Sequence, residues 1–236
     1  MKPCVLIPVF DNAATVAQVV QGSRALGLPV IAVDDGSRDG SGERAEEAGA
    51  TVIRHAENRG KGAALKTGFR EALGRGFTHA ASIDADGQHF PDDIPKLLEA
   101  AGRSQDALVV GARDFSTEVH VQGRSSFGRA FSNFWVWFET GVRVDDSQCG
   151  LRVYPLEHVS KLALSRDRFD LEVEVIVKAA WAGLPVVSVP VRVHYPPPAE
   201  RVSHFRLFAD NARISLLNTC LVARRLVPWP HRKLVR

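Results

Sequence analysis

His79-Ala-Ala-Ser-Ile-Asp84-Ala-Asp86-Gly-Gln88-His89 is a short apolar run that ends in two carboxylates, a glycine and an amide. Similar runs occupy 4–9, 29–34, 51–55 and 107–111, and each gives way to a polar segment. Those segments are Phe10-Asp11-Asn12, Asp34-Asp35-Gly36-Ser37, Asn58-Arg59-Gly60-Lys61-Gly62 and Gly111-Ala112-Arg113. Between the runs, 13–26, 40–49, 62–75 and 91–101 carry apolar residues at helical spacing. The alternation predicts an α/β chain built on a Rossmann-like, mainly parallel open sheet flanked by helices. Ligands of such sheets bind outside the carboxyl ends of the strands, so the five polar segments are expected to converge on one edge.

The second half is less regular. The spacing predicts an aromatic-rich helix over 124–141, a strand over 149–154, a helix over 171–182 and a strand over 186–195, before Pro196-Pro197-Pro198 breaks the pattern. Beyond it, 203–226 reads as a helix with Phe205, Phe208, Ala212, Leu216, Cys220 and Ala223 along one side.

Composition narrows the classes. The 236 residues are 45% hydrophobic, enough for a substantial core. Three widely separated cysteines, Cys4, Cys149 and Cys220, have neither disulfide-framework nor zinc-site spacing and point to a reducing, cytoplasmic setting. No run reaches the roughly 18 apolar residues of a membrane span, and the short, proline-broken N-terminal run does not read as a signal peptide. The net charge of +3 is uneven: residues 201–236 hold eight Lys and Arg against one acid, so the body of the chain is acidic. Basic residues gathered at one end of an acidic body argue against nucleic acid.

Asp84, Asp86 and Gln88 offer only oxygen, and so few hard donors suit Mg2+ or Mn2+ that keeps waters and binds substrate phosphates. A polar turn around Asp-Gly reads the same way locally. Asp35 fits a carboxylate accepting from a base or ribose hydroxyl, or a β-turn residue. Asn58 to Ala63 fits a phosphate-cradling helix start, or a glycine-eased turn. Glu172 and Glu174 lie about 200° apart on a helix, so at least one is expected to face solvent. Arg113, Arg124, Arg152 and Arg206 are candidates for a diphosphate clamp, because guanidinium forks match phosphate oxygens. His89 and His204 have no partner at ligand spacing and read as polar positions near a site.

In order, Ile7-Pro-Val-Phe-Asp-Asn12, Val33-Asp-Asp-Gly-Ser37, Asn58-Arg-Gly-Lys-Gly-Ala63, Asp84-Ala-Asp-Gly-Gln-His89, Gly111-Ala-Arg113, Asp146-Ser-Gln-Cys-Gly150 and Val202-Ser-His-Phe-Arg206 resemble family 2 glycosyltransferases. The nearest likeness is to the dolichyl- or polyprenyl-phosphate mannosyl- and glucosyltransferase branch. Ser203 to Ser215 also resembles bacterial glycosyltransferases of aryl-polyene-type pathways. Phe-Asp-Asn stands where the family usually has Tyr-Asn-Glu, and Ser-His-Phe-Arg where it has a Ser-Lys-Phe-type motif.

The resemblance implies a GT-A catalytic domain over 1–200, with a nucleotide-binding half at 1–115 and an acceptor half at 116–200, followed by a basic amphipathic segment at 201–236. It implies that Pro8, Phe10, Asn12 and Asp35 line the nucleoside pocket and that Asp84, Ala85 and Asp86 hold ribose and diphosphate. Asp84, Asp86 and Gln88 would hold the metal, and Arg113, Arg124 and Arg206 the phosphates. Asp86, Asp146 and Arg113 would be catalytic. The expected reaction is inverting hexosyl transfer from a GDP- or UDP-sugar to a lipid-linked acceptor. A polyprenyl phosphate needs no base; a hydroxyl of a lipid or aryl-polyene-type acceptor needs one, with Asp146 the candidate. The basic 203–226 segment is expected either to lie peripherally on the inner face of the cell membrane or to pack on the catalytic lobe. A sugar-phosphate nucleotidyltransferase would open with a glycine-rich loop after the first strand, and an inactive lipid-binding scaffold would lack the carboxylates; neither pattern is present.

Overall fold

The computed structural model describes residues 1–115, 123–194 and 207–226. Seven strands, β1 (Pro3–Val9), β2 (Val30–Asp34), β3 (Thr51–Arg54), β4 (His79–Ser82), β5 (Leu108–Asp114), β6 (Arg152–Pro155) and β7 (Val186–Arg192), form one sheet in the order β3-β2-β1-β4-β6-β5-β7. All neighbours pair in parallel except β6, which runs antiparallel to both β4 and β5. The central strands are buried on both faces, which is why they read as continuous apolar runs rather than alternating ones.

Helices α1 (Val16–Ala25), α2 (Ser41–Glu47) and α4 (Ile94–Arg103) cover one face, burying Val16, Val20, Ala45, Ile94 and Leu97 against Val5, Ile7 and Val109. Helices α3 (Lys61–Gly74), α6 (Leu156–Lys161) and α7 (Asp170–Trp181) cover the other, with Leu65, Phe69, Val159 and Leu171 against Leu6, Ile31 and Tyr154. Outside them, α5 (Gly123–Thr140) and α8 (Leu207–Leu226) both touch α7. The expected strand from 149 begins at Arg152, and α6 was not expected, since six residues are too few for a helical period to register.

One expectation about helix faces is corrected. Glu172 and Glu174 are both buried, because α7 is enclosed over Asp170 to Ala179 by the sheet below and α5 and α8 above. Glu174 accepts from the Ser165 and Arg166 amides, the Ser165 hydroxyl and the Lys178 ammonium. On α8, Ala212, Leu216, Cys220 and Ala223 are exposed; the helix packs through Leu217 and Leu221 instead. Where its side chains are described, its apolar stripe faces outward, as do Phe131, Phe134 and Trp137 of α5, whereas Phe205 and the Phe208 side chain lie outside the described residues. No described helix is long and apolar enough to cross a membrane.

Glu139, near the end of α5, is buried, and neither carboxylate oxygen has a hydrogen-bond partner among the described residues. Burial pushes its pKa up to about 8, against a weaker opposing pull from Arg225 of α8. The folded chain therefore holds a proton that the unfolded chain has lost above its ordinary carboxyl pKa. Stability attributable to this group falls as pH rises from that ordinary value through about 8. Glu139→Gln is expected to melt above the wild type at pH 9 and with it at pH 5; equal melting temperatures at both would refute the assignment.

Candidate active site

Asp84 lies two residues beyond β4, where the carboxyl ends of the parallel strands meet. Its Oδ1 is 2.6 Å from Nζ of Lys61, the first residue of α3, and the same ammonium is 3.1 Å from Oε1 of Glu172 on α7. Burial, the largest influence, would raise the Asp84 pKa, but the charge and hydrogen bond of Lys61, with His89 and Arg152, together outweigh it and hold the carboxyl below its ordinary value. Lys61 is likewise held charged: its pKa is raised because Asp84 and Glu172 outweigh desolvation. Gly150 makes room for this carboxylate, since a Cβ there would sit 2.2 Å from Asp84 Oδ2. The Ser82 hydroxyl donates to the Gly150 carbonyl at 2.7 Å, which fixes that approach.

Asp86 has a different environment. Burial first, then the negative charge of Asp84, lifts its pKa to about 6, while the Gln88 amide donates to its Oδ1 at 3.0 Å. The Thr15 hydroxyl pins the loop by donating to the Ala85 carbonyl at 2.6 Å. His89 is buried, and desolvation lowers its pKa to about 4, so the imidazole is neutral near pH 7. A cavity of about 440 Å³ opens beside Asp86, Gln88, His89 and His194.

The other expected positions fall on neighbouring strand ends. Pro8 is in β1 and Phe10 directly follows it. Asp11 has a positive φ of 47°, the sole described non-glycine residue to do so, and its carboxylate accepts from the Arg38 amide. The buried Asn12 donates its amide to the Ser41 hydroxyl at 2.7 Å. Asp35, at the end of β2, accepts from the amides of Arg59 at 3.0 Å and Gly60 at 2.6 Å, and from His55 Nδ1 at 2.6 Å. Gly60 adopts φ 104°, which lets the chain turn into α3 with that amide directed at Asp35.

At the edge of β5, Arg113 grips Asp146: Nε to Oδ2 is 2.6 Å and Nη2 to Oδ1 is 3.0 Å. Asp146 is fully buried. Arg152 is corrected as a phosphate ligand, because it is also fully buried and donates to the carbonyls of Ser147, Cys149 and Glu172. It shapes the loop before β6. Of Arg124 only the backbone is described, and Arg206 and His204 lie outside the described residues.

Among the described residues no group of three or more His, Cys, Asp and Glu side chains converges as a cage for a metal ion. Asp84 and Asp86 instead form a pair of carboxylates, the Asp86 pKa raised by burial first and then by the charge of Asp84. Such a pair fits a hard divalent ion that takes its remaining oxygens from water and phosphate.

A mainly parallel sheet with one antiparallel strand, carrying an acidic loop and basic side chains at its carboxyl edge, is the GT-A architecture. The sequence profile of glycosyl transferase family 2 matches residues 4–157, and the chain belongs to that family. It is 31% identical to the undecaprenyl-phosphate mannosyltransferase of Micrococcus luteus, over 81% of this chain and 83% of that one. It is 28% identical to the UDP-N-acetylglucosamine–dolichyl-phosphate N-acetylglucosaminyltransferase of Methanococcus voltae, over 80% of this chain and 84% of the relative. Among solved structures, glucosyl-3-phosphoglycerate synthase of Mycobacterium tuberculosis, with Mn2+, uridine diphosphate and glucosyl-3-phosphoglycerate, superposes with a TM-score of 0.68. That match has 19% identity and covers 97% of this chain and 81% of that one.

Gly150→Ala tests the packing around Asp84. Its methyl group displaces the carboxylate, and a shift of that size is expected to cost about 100-fold in transfer rate with the fold intact by circular dichroism. Unchanged rates would show that the Asp84 position is not critical.

Proposed function

We propose that the chain transfers a hexose, with inversion, from a UDP- or GDP-sugar to the phosphate of a polyprenyl phosphate. The observation that carries this reading is the Arg113–Asp146 pair. A catalytic base needs a lone pair open to the acceptor proton, whereas both oxygens of Asp146 are held by one guanidinium in a fully buried position. Asp146 is thereby suited to orient Arg113. An acceptor phosphate, already ionised, needs no base. The names of the two relatives, acting on undecaprenyl phosphate and dolichyl phosphate, support the same acceptor class.

In this reading Pro8, Phe10, Asn12 and Asp35 receive the nucleoside, and Asp84, Ala85 and Asp86 the ribose and diphosphate. Mg2+ or Mn2+ would be held by Asp84 and Asp86 with Gln88, and supplies charge to stabilise the departing diphosphate. The acceptor oxygen attacks the anomeric carbon from the face opposite the diphosphate, the carbon–oxygen bond to the diphosphate breaks, and the nucleoside diphosphate leaves. Arg113, with Arg124 and Arg206, meets phosphate oxygens. Lys61 keeps Asp84 ionised and in place.

Undecaprenyl phosphate is expected to be glycosylated and undecaprenol not, as read by mass spectrometry of the lipid product. Asp146→Asn should keep roughly 1–10% of the wild-type rate on the phosphate, the scale of a misplaced binding group. Glycosylation of undecaprenol by the wild type, abolished by Asp146→Asn, would establish the hydroxyl-acceptor reading instead.

The outward stripe of α8 with Arg213, Arg224 and Arg225, beside the exposed Phe131, Phe134 and Trp137, supports peripheral contact with anionic lipid on the cytoplasmic side of the membrane. Sedimentation with phosphatidylglycerol vesicles is expected for the full chain and lost on deleting 203–236. Undiminished sedimentation after the deletion would overturn the role of this segment.

A further inference from the structure

On the flank of α3, away from Asp84 and Asp86, a cavity of about 340 Å³ lies between α3, α6 and the segment that leads into α7. That size suits a small ligand. The cavity lining includes the basic side chains Arg59, Lys66 and Arg70, and among the described lining residues the one carboxylate is Asp167, paired with Lys66 at 2.6 Å. Apolar side chains line it too, Phe69 and Leu73 from α3 itself, Val159 from α6 and Leu162 beyond it. Cations and hydrocarbon in one small cavity suit a ligand with an anionic head and a short apolar body.

The basic side of the lining is linked by hydrogen bonds, through Arg70, to the proposed nucleoside end. Arg70 Nη2 donates to the Thr67 hydroxyl at 3.3 Å, Thr67 Oγ1 meets His55 Nε2 at 3.0 Å, and His55 Nδ1 donates to Asp35 at 2.6 Å. Both His55 and Asp35 are buried side chains, so a shift of either is not absorbed by solvent. Arg59 makes a second connection, since its backbone amide also donates to Asp35 while its side chain lines the cavity.

We propose that this cavity is a second ligand site for a small phosphate- or carboxylate-headed amphiphile, and that its occupancy adjusts nucleotide binding through Thr67, His55 and Asp35. The adjustment rests on the proposed nucleoside role of Asp35; the binding does not.

Hexyl phosphate is the probe, with hexanol and inorganic phosphate at equal concentration as controls. Hexyl phosphate alone should raise the melting temperature of the full chain. Arg70→Glu, at an exposed helix position, should weaken its binding about tenfold or more, the scale of one charge-assisted contact. No shift with hexyl phosphate, or equal binding by Arg70→Glu, overturns the site. Saturating probe should change the UDP dissociation constant about threefold or more, roughly 0.65 kcal/mol, and Thr67→Val should erase that change. An unchanged constant overturns the link alone, and failure of UDP to bind at all strikes the nucleoside reading while the probe result still decides the site.

Discussion

A single ammonium between two carboxylates ties the working end of this molecule together. Lys61 opens α3, Asp84 follows β4 and Glu172 lies in α7, so three elements from distant parts of the chain meet at one charge. Burying any of these ions alone is costly, and the cost is offset only when all three elements are in place. The arrangement therefore makes catalytic geometry and tertiary packing one condition. Asp86, outside the pair, is raised by burial first and by the charge of Asp84 second, with Lys61 countering only in part, so two neighbouring carboxylates in one loop have pKa values displaced in opposite directions.

A second charge pair, Arg113 with Asp146, closes the other side of the edge. The two ion pairs differ in what they leave available. Lys61 takes one oxygen of Asp84 and leaves Oδ2 in the space kept by Gly150, whereas Arg113 engages both oxygens of Asp146. One carboxylate thus has a single oxygen engaged by its cation and the other has both.

The parallel strands and their polar ends were legible in the sequence because buried β-branched runs, helical spacing and turn residues alternate with little ambiguity over residues 4–111. The acidic loop was legible only through its place in that series, since a polar turn around Asp-Gly reads the same way locally. What escaped was decided by distant packing. The direction of β6 is not written in four residues, since a short buried strand pairs equally well either way. Glu172 looked like one of a pair needing water, because periodicity presumes a helix with one wet face, and α7 has none. On α8 the period identified a face without saying whether it is covered, and the position of α7 decided that the opposite face is the packed one. His55 had no local signal at all; its importance comes from Asp35 and Thr67 standing on either side of it.

The antiparallel strand has a consequence for how the chain acquires its structure. Strands β1 to β4 can pair among themselves as soon as residue 82 is available, yet the free edge of β4 is covered only by β6, whose register joins Ser82 to Arg152. Until that later segment arrives, an apolar strand edge stands open to mispairing, and long-range pairing of this kind is slow to form. The segment that covers it also delivers Gly150 and the buried Arg152 to Asp84 and Glu172. Completing the sheet and completing the catalytic edge are consequently one late event, and a chain interrupted between residues 115 and 150 would hold most of its strands without a working centre.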